Sequence, residues 1–230
     1  MQLALLKALN EERAARRAAV VVTALASGEQ RLVKASAVAK DELREAIGKR
    51  LRSGKSGTEE TASEKYFLTV FVPPPRLVIT GAVHISQELA PMAQRLGYDV
   101  VIVDPRTAFA TPERFAGVKL LADWPDKVLP SLDIDAHTAF AALTHDPKID
   151  DPALLHAFSK DCFYIGALGS KKTHATRLER LKAQGAADAQ ISRIHAPIGL
   201  AIGAVSPAEV AVSILAEITT RLRLGDEKLK

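Results

Sequence analysis

The sequence has one cysteine, few aromatic residues and no apolar run long enough to cross a bilayer. A single cysteine, Cys162, excludes an intramolecular disulfide and any zinc site built from paired cysteines. Aromatic residues make up 5% of the chain, too few for a base-stacking surface, and acidic residues are mixed among the basic ones despite the net charge of +4. We expect no nucleic-acid partner, no membrane span and a cytoplasmic protein in which Cys162 is a buried, unreactive side chain.

The sequence also lacks the common motifs of metal and nucleophile chemistry. It contains no His-Glu-x-x-His pair, no Walker lysine loop and no Gly-x-Ser-x-Gly turn, and its 6 histidines are scattered. We therefore assign no metal ligand and no catalytic residue, and we expect no turnover.

The first 75 residues predict a small α+β domain. An amphipathic helix, rather than a signal peptide, is predicted near the amino terminus, followed by a hairpin, a second helix and a strand, at 3–18, around Ser27-Gly28, from Ala37 to 52, and at 66–72. Residues 52–65 are glycine, serine and charge without an apolar period, which predicts a loop. Pro73–Pro75 favour a stiff spacer, so we place the domain boundary there, between 1–75 and 76–230.

After the prolines, apolar runs alternate with amphipathic segments. The runs LVITG, DVVIVD, AFAALTHD and FYIGALGS are typical of strands in a parallel sheet that helices cover on both faces. Helices are predicted between these runs, one of them with Asp151 as its cap and Pro152 at its first position, and a last helix opens with a capping box at Ser206 and Glu209. The fold class is α/β, a Rossmann-like parallel sheet domain with a small α+β amino-terminal domain.

Residues 81–86, GAVHIS, follow the first of these strands. Gly81 permits a tight turn, but Val83 places a β-branched side chain where a dinucleotide pyrophosphate needs bare backbone, which disfavours a standard NAD site. The helix start still offers N–H groups to an anion. His84 is either a ligand contact or a histidine packed at a helix start.

Two further corners carry polar side chains. Asp104 ends the second strand, where an acid accepts from a ribose hydroxyl, and Arg106 is placed to hold a phosphate, although the two could equally form an ion pair. Thr144, His145 and Asp146 follow the third strand and suit either acid-base chemistry or a plain turn.

The fourth corner is the strongest candidate for a phosphate site. Gly166 and Gly169 allow close backbone approach, and Ser170 is placed to cap the next helix. The first two turns of that helix carry Lys171, Lys172, His174 and Arg177. Cations at a helix amino terminus oppose the helix dipole, so an anionic ligand is a good reason to find them there. His195, before another glycine-bearing run, is a candidate to close the same cleft or a core histidine.

Four stretches, 103–115, 143–154, 163–181 and 193–218, together resemble the Rossmann-like domain of the XdhC/CoxI family, over roughly residues 76–222. The resemblance implies an accessory protein that binds molybdenum cofactor (molybdopterin, alone or in a nucleotide form), protects it during sulfuration and inserts it into a molybdenum hydroxylase such as xanthine dehydrogenase. The implied partners are the hydroxylase apoenzyme and a cysteine desulfurase, and a homodimer is one candidate assembly.

The chain departs from the family pattern in two places. Many members have Gly-Ala-Gly-His at the first turn, where this chain has Gly81-Ala82-Val83-His84. The family's Gly-Ser-x-Pro-Arg and Gly-Cys-Val-Glu segments are missing from residues 1–75, so a companion protein is expected to supply them. Two rival functions stay open, an NAD(P)-dependent oxidoreductase and a ligand-free docking scaffold, because fold alone does not choose among them.

Overall fold

The structure is a computed structural model that describes residues 2–62 and 64–225. The chain divides between Pro73 and Pro74 into two compact units. Each unit has its own hydrophobic core.

The first unit is a four-stranded antiparallel sheet with two α-helices and a short 3-10 helix. Its elements are α1 (Leu3–Ala14), β1 (Ala19–Ala24), β2 (Gln30–Lys34), the 3-10 helix (Ala35–Lys40), α2 (Arg44–Ser53), β3 (Gly57–Glu60) and β4 (Lys65–Phe71). The sheet order is β2-β1-β4-β3, and the predicted hairpin is the β1–β2 pair. Val20, Val22, Ile47 and Leu68 are buried together between the sheet and α2.

Three predictions for this unit were wrong in detail. Residues 52–65 are not all loop, because β3 lies within them and pairs with β4; a polar strand at a sheet edge needs no apolar period, since its backbone bonds supply the pairing. The helix predicted from Ala37 is interrupted, since Asp41 accepts the N–H of Leu43 at 2.9 Å and the α-helix starts only at Arg44. The first helix ends at Ala14, before Arg16 adopts a left-handed φ of 51°.

The second unit is a six-stranded parallel sheet, which confirms the predicted fold class. Its strands are β5 (Arg76–Thr80), β6 (Asp99–Val103), β7 (Lys119–Leu121), β8 (Thr138–Ala142), β9 (Tyr164–Ala167) and β10 (Ile194–His195), in the order β10-β9-β8-β5-β6-β7. The direction of strand addition reverses between β5 and β8. In such sheets, ligands bind beyond the carboxyl ends of the strands at that reversal.

Helices cover both faces of this sheet. They are α3 (His84–Arg95), α4 (Pro125–Val128), α5 (Pro147–Phe158), α6 (Lys171–Ala183), α7 (Asp188–Ile191) and α8 (Pro207–Leu224). Residues of α3 and α8 are buried against one face, with Leu77, Ile79 and Tyr164. Residues of α5 and α6 are buried against the other, with Phe140 and Ile165. Side chains on alternate positions of one strand therefore enter different layers.

The prediction that a helix begins at Asp151-Pro152 placed the start five residues too late. The helix starts at Pro147, and Asp146 is its N-cap, with its side chain accepting from the N–H of Lys148 at 2.9 Å. Both Asp-Pro pairs suit a helix start, and the earlier one does so here. Pro152 lies inside the helix, and Asp151 is a buried side chain rather than a cap. The predicted capping box at Ser206 and Glu209 is confirmed.

Candidate functional site

The turn after β5 uses its own hydrogen-bond donors. The N–H of Ala82 donates to Asp104 Oδ2 at 2.7 Å, and the N–H of Val83 donates to Ser86 Oγ at 3.2 Å. Gly81 has a φ of +115°, and a Cβ there would lie 3.3 Å from the backbone nitrogen of Thr144. Gly81 thus allows the turns after β5 and β8 to pack together, and the two N–H groups that follow it are occupied.

Asp104 and Arg106 bind each other. The carboxylate is fully buried and accepts the Arg106 Nε at 2.9 Å and Nη2 at 2.7 Å, besides the backbone N–H groups of Arg106 and Ala82. Burial alone would raise the pKa of Asp104, but the hydrogen bonds from Arg106 and Ala82 outweigh it and hold the pKa below its usual range. Both carboxylate oxygens are engaged within the protein, as the ion-pair interpretation expects.

The loop that follows Arg106 is fastened over the same turn. Arg114 donates to the carbonyl of Ala82 at 3.1 Å and to Gln87 Oε1 at 2.8 Å. The guanidinium carbons of Arg106 and Arg114 lie 4.8 and 5.9 Å from the centroid of the Phe109 ring. Side chains of the stretch 103–115 therefore cover the turn after β5.

The turn after β8 is organised around Asp150, which sequence reasoning missed. Asp150 Oδ2 accepts the N–H of His145 at 3.0 Å, and Oδ1 accepts the Thr80 hydroxyl at 3.2 Å. These bonds hold His145 at a left-handed φ of 62°, with its side chain exposed. Burial raises the pKa of Asp150, and its hydrogen bonds with Thr144 only partly offset that rise. Thr144 Oγ1 accepts the N–H of Asp146, so this corner is also a helix-starting turn.

The turn after β9 starts α6 as predicted. Ser170 is the N-cap and accepts the N–H of Thr173 at 3.2 Å. Gly169 has a φ of +136°, and a Cβ there would lie 3.2 Å from Thr173. A Cβ at Gly166 would lie 2.6 Å from Ile198 Cδ1, so packing within the core accounts for that glycine.

A cleft of about 340 Å³ lies beside α6 and the start of α5. We call it the α5–α6 cleft; it is lined by His145, Pro147, Asp150, Lys172, Thr173, Thr176, Arg177 and Arg180. It brings together three of the predicted site residues, His145, Lys172 and Arg177. Lys171 is exposed and lies outside the lining.

Arg177 is the most unusual side chain of the cleft. It is 2% exposed, and its Nη2 donates to the carbonyl of Leu168 at 2.7 Å. Its Nε and Nη1, like the neighbouring His174 Nδ1, are buried without a hydrogen-bond partner among the described residues. Burial lowers the pKa of Arg177, and the charges of Asp150 and Asp151 oppose that shift. Arg180 differs, because it forms two hydrogen bonds with Asp151, at 2.7 and 3.0 Å.

His195 faces the opposite layer of the sheet. It pairs with Gly166 in the β9–β10 ladder, its ring stacks on Tyr164 at 4.8 Å, and its Nδ1 lies 3.0 Å from Glu217 Oε1. Glu217, on α8, also accepts from the Tyr164 hydroxyl and from the N–H of Gly199. Burial favours the neutral form of Glu217, but these donors, His195 first, hold the pKa below its usual value. The structure therefore separates His195 from Arg177, which belongs to the α5–α6 layer.

The candidate residues thus fall into separate groups. Asp104 and Arg106 are beside the first turn, His195 is in the α3–α8 layer, and His84 is exposed at the first position of α3. Asp150 and Arg180 were missed, and two signals could have found them: the paired acids at 150–151 and the arginine one turn after Arg177.

The described residues include neither a metal site nor a membrane-spanning helix. Across residues 2–62 and 64–225, no group of His, Cys, Asp and Glu side chains could hold a metal ion, and no helix combines the length and apolarity that crossing a membrane requires. Cys162 is buried, as predicted, and burial raises the pKa of its thiol to about 12.

Three named relatives resemble this chain. A probable xanthine dehydrogenase subunit of Bacillus subtilis (strain 168) is 34% identical over 161 residues, 69% of this chain and 47% of that protein. The molybdenum cofactor insertion chaperone PaoD of Escherichia coli (strain K12) is 34% identical over 158 residues, 69% of this chain and 43% of that protein. The uncharacterized protein YqeB of the same strain is 31% identical over 174 residues, 73% of this chain and 32% of that protein.

The chain spans about a third to a half of the length of these curated relatives. A crystal structure described as a xanthine dehydrogenase from Bacillus halodurans matches 95% of this chain and 66% of that one, with a TM-score of 0.69 and 23% identity, which shows a shared fold. A family model described as the XdhC Rossmann domain matches residues 77–218. The chain belongs to the XdhC Rossmann domain family.

Proposed function

We propose that the protein is an accessory factor that holds molybdenum cofactor for sulfuration and for insertion into a molybdenum hydroxylase such as xanthine dehydrogenase. The observation that carries the proposal is the buried, incompletely paired Arg177 in a cationic cleft at the carboxyl edge of the sheet. Its family membership and its likeness to a cofactor insertion chaperone support the same function.

The charge of the proposed cargo, molybdenum cofactor, suits the carboxyl edge of the sheet. Molybdopterin carries a phosphate, and its dithiolene and oxo groups add negative charge. Lys172 and Arg177 are proposed to attract that charge, with His145 at the rim of the cleft. Arg106 is proposed to contact the cargo nearer the first turn, because its side chain keeps 33% of its area exposed while bound to Asp104.

Several other predicted residues are proposed to shape the pocket rather than to contact the cargo. Gly81, Asp104, Thr144 and Asp146 form hydrogen bonds or packing contacts that fix the turns. Gly169 and Ser170 fix the start of α6, Gly166 allows Ile198 to pack against β9, and His195 supports the segment that leads to α8. His84 is exposed at the same edge of the sheet and is proposed as a rim contact.

We further propose that the protein has no turnover of its own and acts in the cytoplasm with three partners. These are the hydroxylase apoenzyme, a cysteine desulfurase, and a companion protein that carries the motifs missing from residues 1–75. A homodimer is the proposed assembly. We favour this function over that of an NAD(P)-dependent oxidoreductase. A dinucleotide site would need the backbone at the first turn, and the two N–H groups after Gly81 already bind Asp104 and Ser86.

Co-expression tests this function. The protein is produced together with a molybdenum hydroxylase, each is isolated, and released pterin and molybdenum are assayed. We expect pterin and molybdenum on the accessory protein, and a lower molybdenum content of the hydroxylase when the accessory protein is omitted. Equal hydroxylase loading with and without it would contradict the proposal, and micromolar binding of NAD or NADP would favour the oxidoreductase.

A further inference from the structure

We propose that the α5–α6 cleft binds a terminal phosphate, a phosphomonoester group, with Arg177 as its buried anchor. This inference deepens the proposed function and rests on it for the identity of the whole ligand. It names the group of the cargo that enters the protein and the side chain that receives it. The chemistry is that of phosphate, so free phosphate and the phosphate of a larger molecule compete for the same donors.

Arg177 has unused donors in a place where they are costly. Burying a guanidinium is costly unless its N–H groups have acceptors. In the described part of the chain, Arg177 has one such acceptor, the carbonyl of Leu168, which binds Nη2. Asp150 is close enough for its charge to favour the charged form of Arg177. The oxygens of Asp150, however, accept hydrogen bonds from Thr80, Thr144 and His145 instead. An anion in the cleft, reached by a small shift of Arg177, would supply the acceptors that the protein does not.

The start of α6 adds donors on the same side. The N–H groups of Lys171 and Lys172 occupy the first two positions of this 13-residue helix and have no intrahelical acceptor. Ser170 caps the N–H of Thr173 only. The side chain of Lys172 lines the cleft, so backbone donors, a lysine and the helix dipole favour an anion beside Arg177.

The charged side chains of the lining favour an anion. Arg180 is neutralised by its two hydrogen bonds with Asp151. Lys172 and Arg177 are the lining cations for which the described residues provide no salt bridge. A phosphomonoester carries about −1.5 to −2 charges at pH 7, whereas a phosphodiester carries about −1. Asp150, which also lines the cleft, offsets part of this positive charge. The preference for a terminal phosphate therefore rests on the donors of Arg177 and of the start of α6, to which a terminal phosphate presents more free oxygens than a bridging one does.

Thermal unfolding at constant ionic strength tests the site with inorganic phosphate as the probe. We expect phosphate to raise the melting temperature of the wild-type protein above its value in chloride, because a ligand that binds the folded state stabilises it. Arg177→Met should weaken phosphate binding by about tenfold or more, and Lys172→Ala by about two- to fivefold. Lys182→Ala is the matched control, since this exposed lysine lies in the last turn of α6 and outside the lining, and the variant should bind phosphate as the wild type does.

Competition defines the class of ligand. A phosphomonoester such as glycerol phosphate should displace inorganic phosphate, and dimethyl phosphate should do so at least about tenfold less well. Equal melting temperatures in phosphate and chloride, or equal losses of phosphate binding in Lys182→Ala and Lys172→Ala, would overturn the site. Lys172→Ala keeps the test decisive if Arg177→Met does not fold. Phosphate binding without pterin on the co-expressed protein would reject the proposed function alone, and pterin without phosphate binding would reject this site alone.

Discussion

The helices α3 and α6 start at the same edge of the parallel sheet. They differ in whether the protein itself binds the hydrogen-bond donors at their starts. At α3 the N–H groups of Ala82 and Val83 are bound by Asp104 and Ser86, and Arg114 fastens a loop over the turn. At α6 the side chain of Ser170 accepts the N–H of Thr173, and two nitrogens of the buried Arg177 have no partner within residues 2–62 and 64–225. The donors before α3 are thus bound within the protein, whereas the start of α6 leaves room for an external anion.

The comparison shows why the same βα unit need not bind the same ligand. A dinucleotide site depends on free N–H groups at the first turn, and here a buried aspartate takes one of them. The phosphate is therefore proposed to bind on the α5–α6 side of the sheet, where the described residues provide Lys172 and Arg177 with no salt bridge. On this proposal, a valine at position 83 is tolerable because no phosphate has to approach the backbone there.

The largest expected loss of stability comes from disrupting the turn after β5, which Asp104 holds. Asp104→Ala removes a buried carboxylate and leaves Arg106 and the N–H of Ala82 without their acceptor, which should lower the free energy of unfolding by about 3–5 kcal/mol. Asp123→Ala is the matched control, because this aspartate is half-exposed and pairs with Lys127 across 3.4 Å, and it should cost less than about 1 kcal/mol. Urea unfolding of both variants measures the difference, and similar losses would remove the distinction between the two turns.

The two buried aspartates should respond to pH with opposite signs. The folded pKa of Asp104 lies below its usual value, so its contribution to stability is present above about pH 4 and is lost as the pH falls through the folded pKa. The folded pKa of Asp150 is raised, so its effect is favourable at low pH and is lost as the pH rises from about 4 through the folded pKa. A tenfold change in an acid dissociation constant on folding corresponds to about 1.4 kcal/mol.

Urea unfolding of the wild type, Asp104→Asn and Asp150→Asn between about pH 3 and pH 8 measures these contributions. The advantage of the wild type over Asp104→Asn should shrink as the pH falls. Its stability relative to Asp150→Asn should instead decrease as the pH rises. The same sign for both variants would mean that the two carboxyl groups have similar environments.

The smallest expected effect concerns the cap of α6. Ser170→Ala should lower the free energy of unfolding by about 1 kcal/mol, because the N–H of Thr173 loses its acceptor. Ser206→Ala removes the corresponding cap of α8 and should cost about the same. Only Ser170→Ala should also weaken phosphate binding, by about twofold, which isothermal titration calorimetry measures. An equal loss of affinity in Ser206→Ala would show that the effect is not local to the cleft.

Short-range sequence patterns predicted four strands of the parallel sheet and two helix caps. The apolar runs of β5, β6, β8 and β9 and the caps at Ser170 and Ser206 are short-range signals, so they can be predicted from neighbouring residues. The strand β3 was missed because its polar residues pair at a sheet edge through the backbone.

The grouping of the site residues depends on contacts that sequence alone does not contain. His195 enters the α3–α8 layer because it pairs with Gly166, so its side chain shares the face of Tyr164. Arg177 is one of several cations on α6, and only the packing of the helix against α5 and the turns shows that it is buried. Asp150 organises the turn after β8 partly through its hydrogen bond with Thr80, which lies 70 positions earlier in the chain.

Direct binding of purified molybdenum cofactor to the wild type and to Arg177→Met tests the central claim. Pterin retained per chain is measured by fluorescence after oxidation, with circular dichroism confirming that both proteins are folded. We predict that the wild type retains the cofactor and that Arg177→Met binds it at least about tenfold more weakly, because the buried anchor for the phosphate is gone. Equal retention by the two folded proteins would contradict the account.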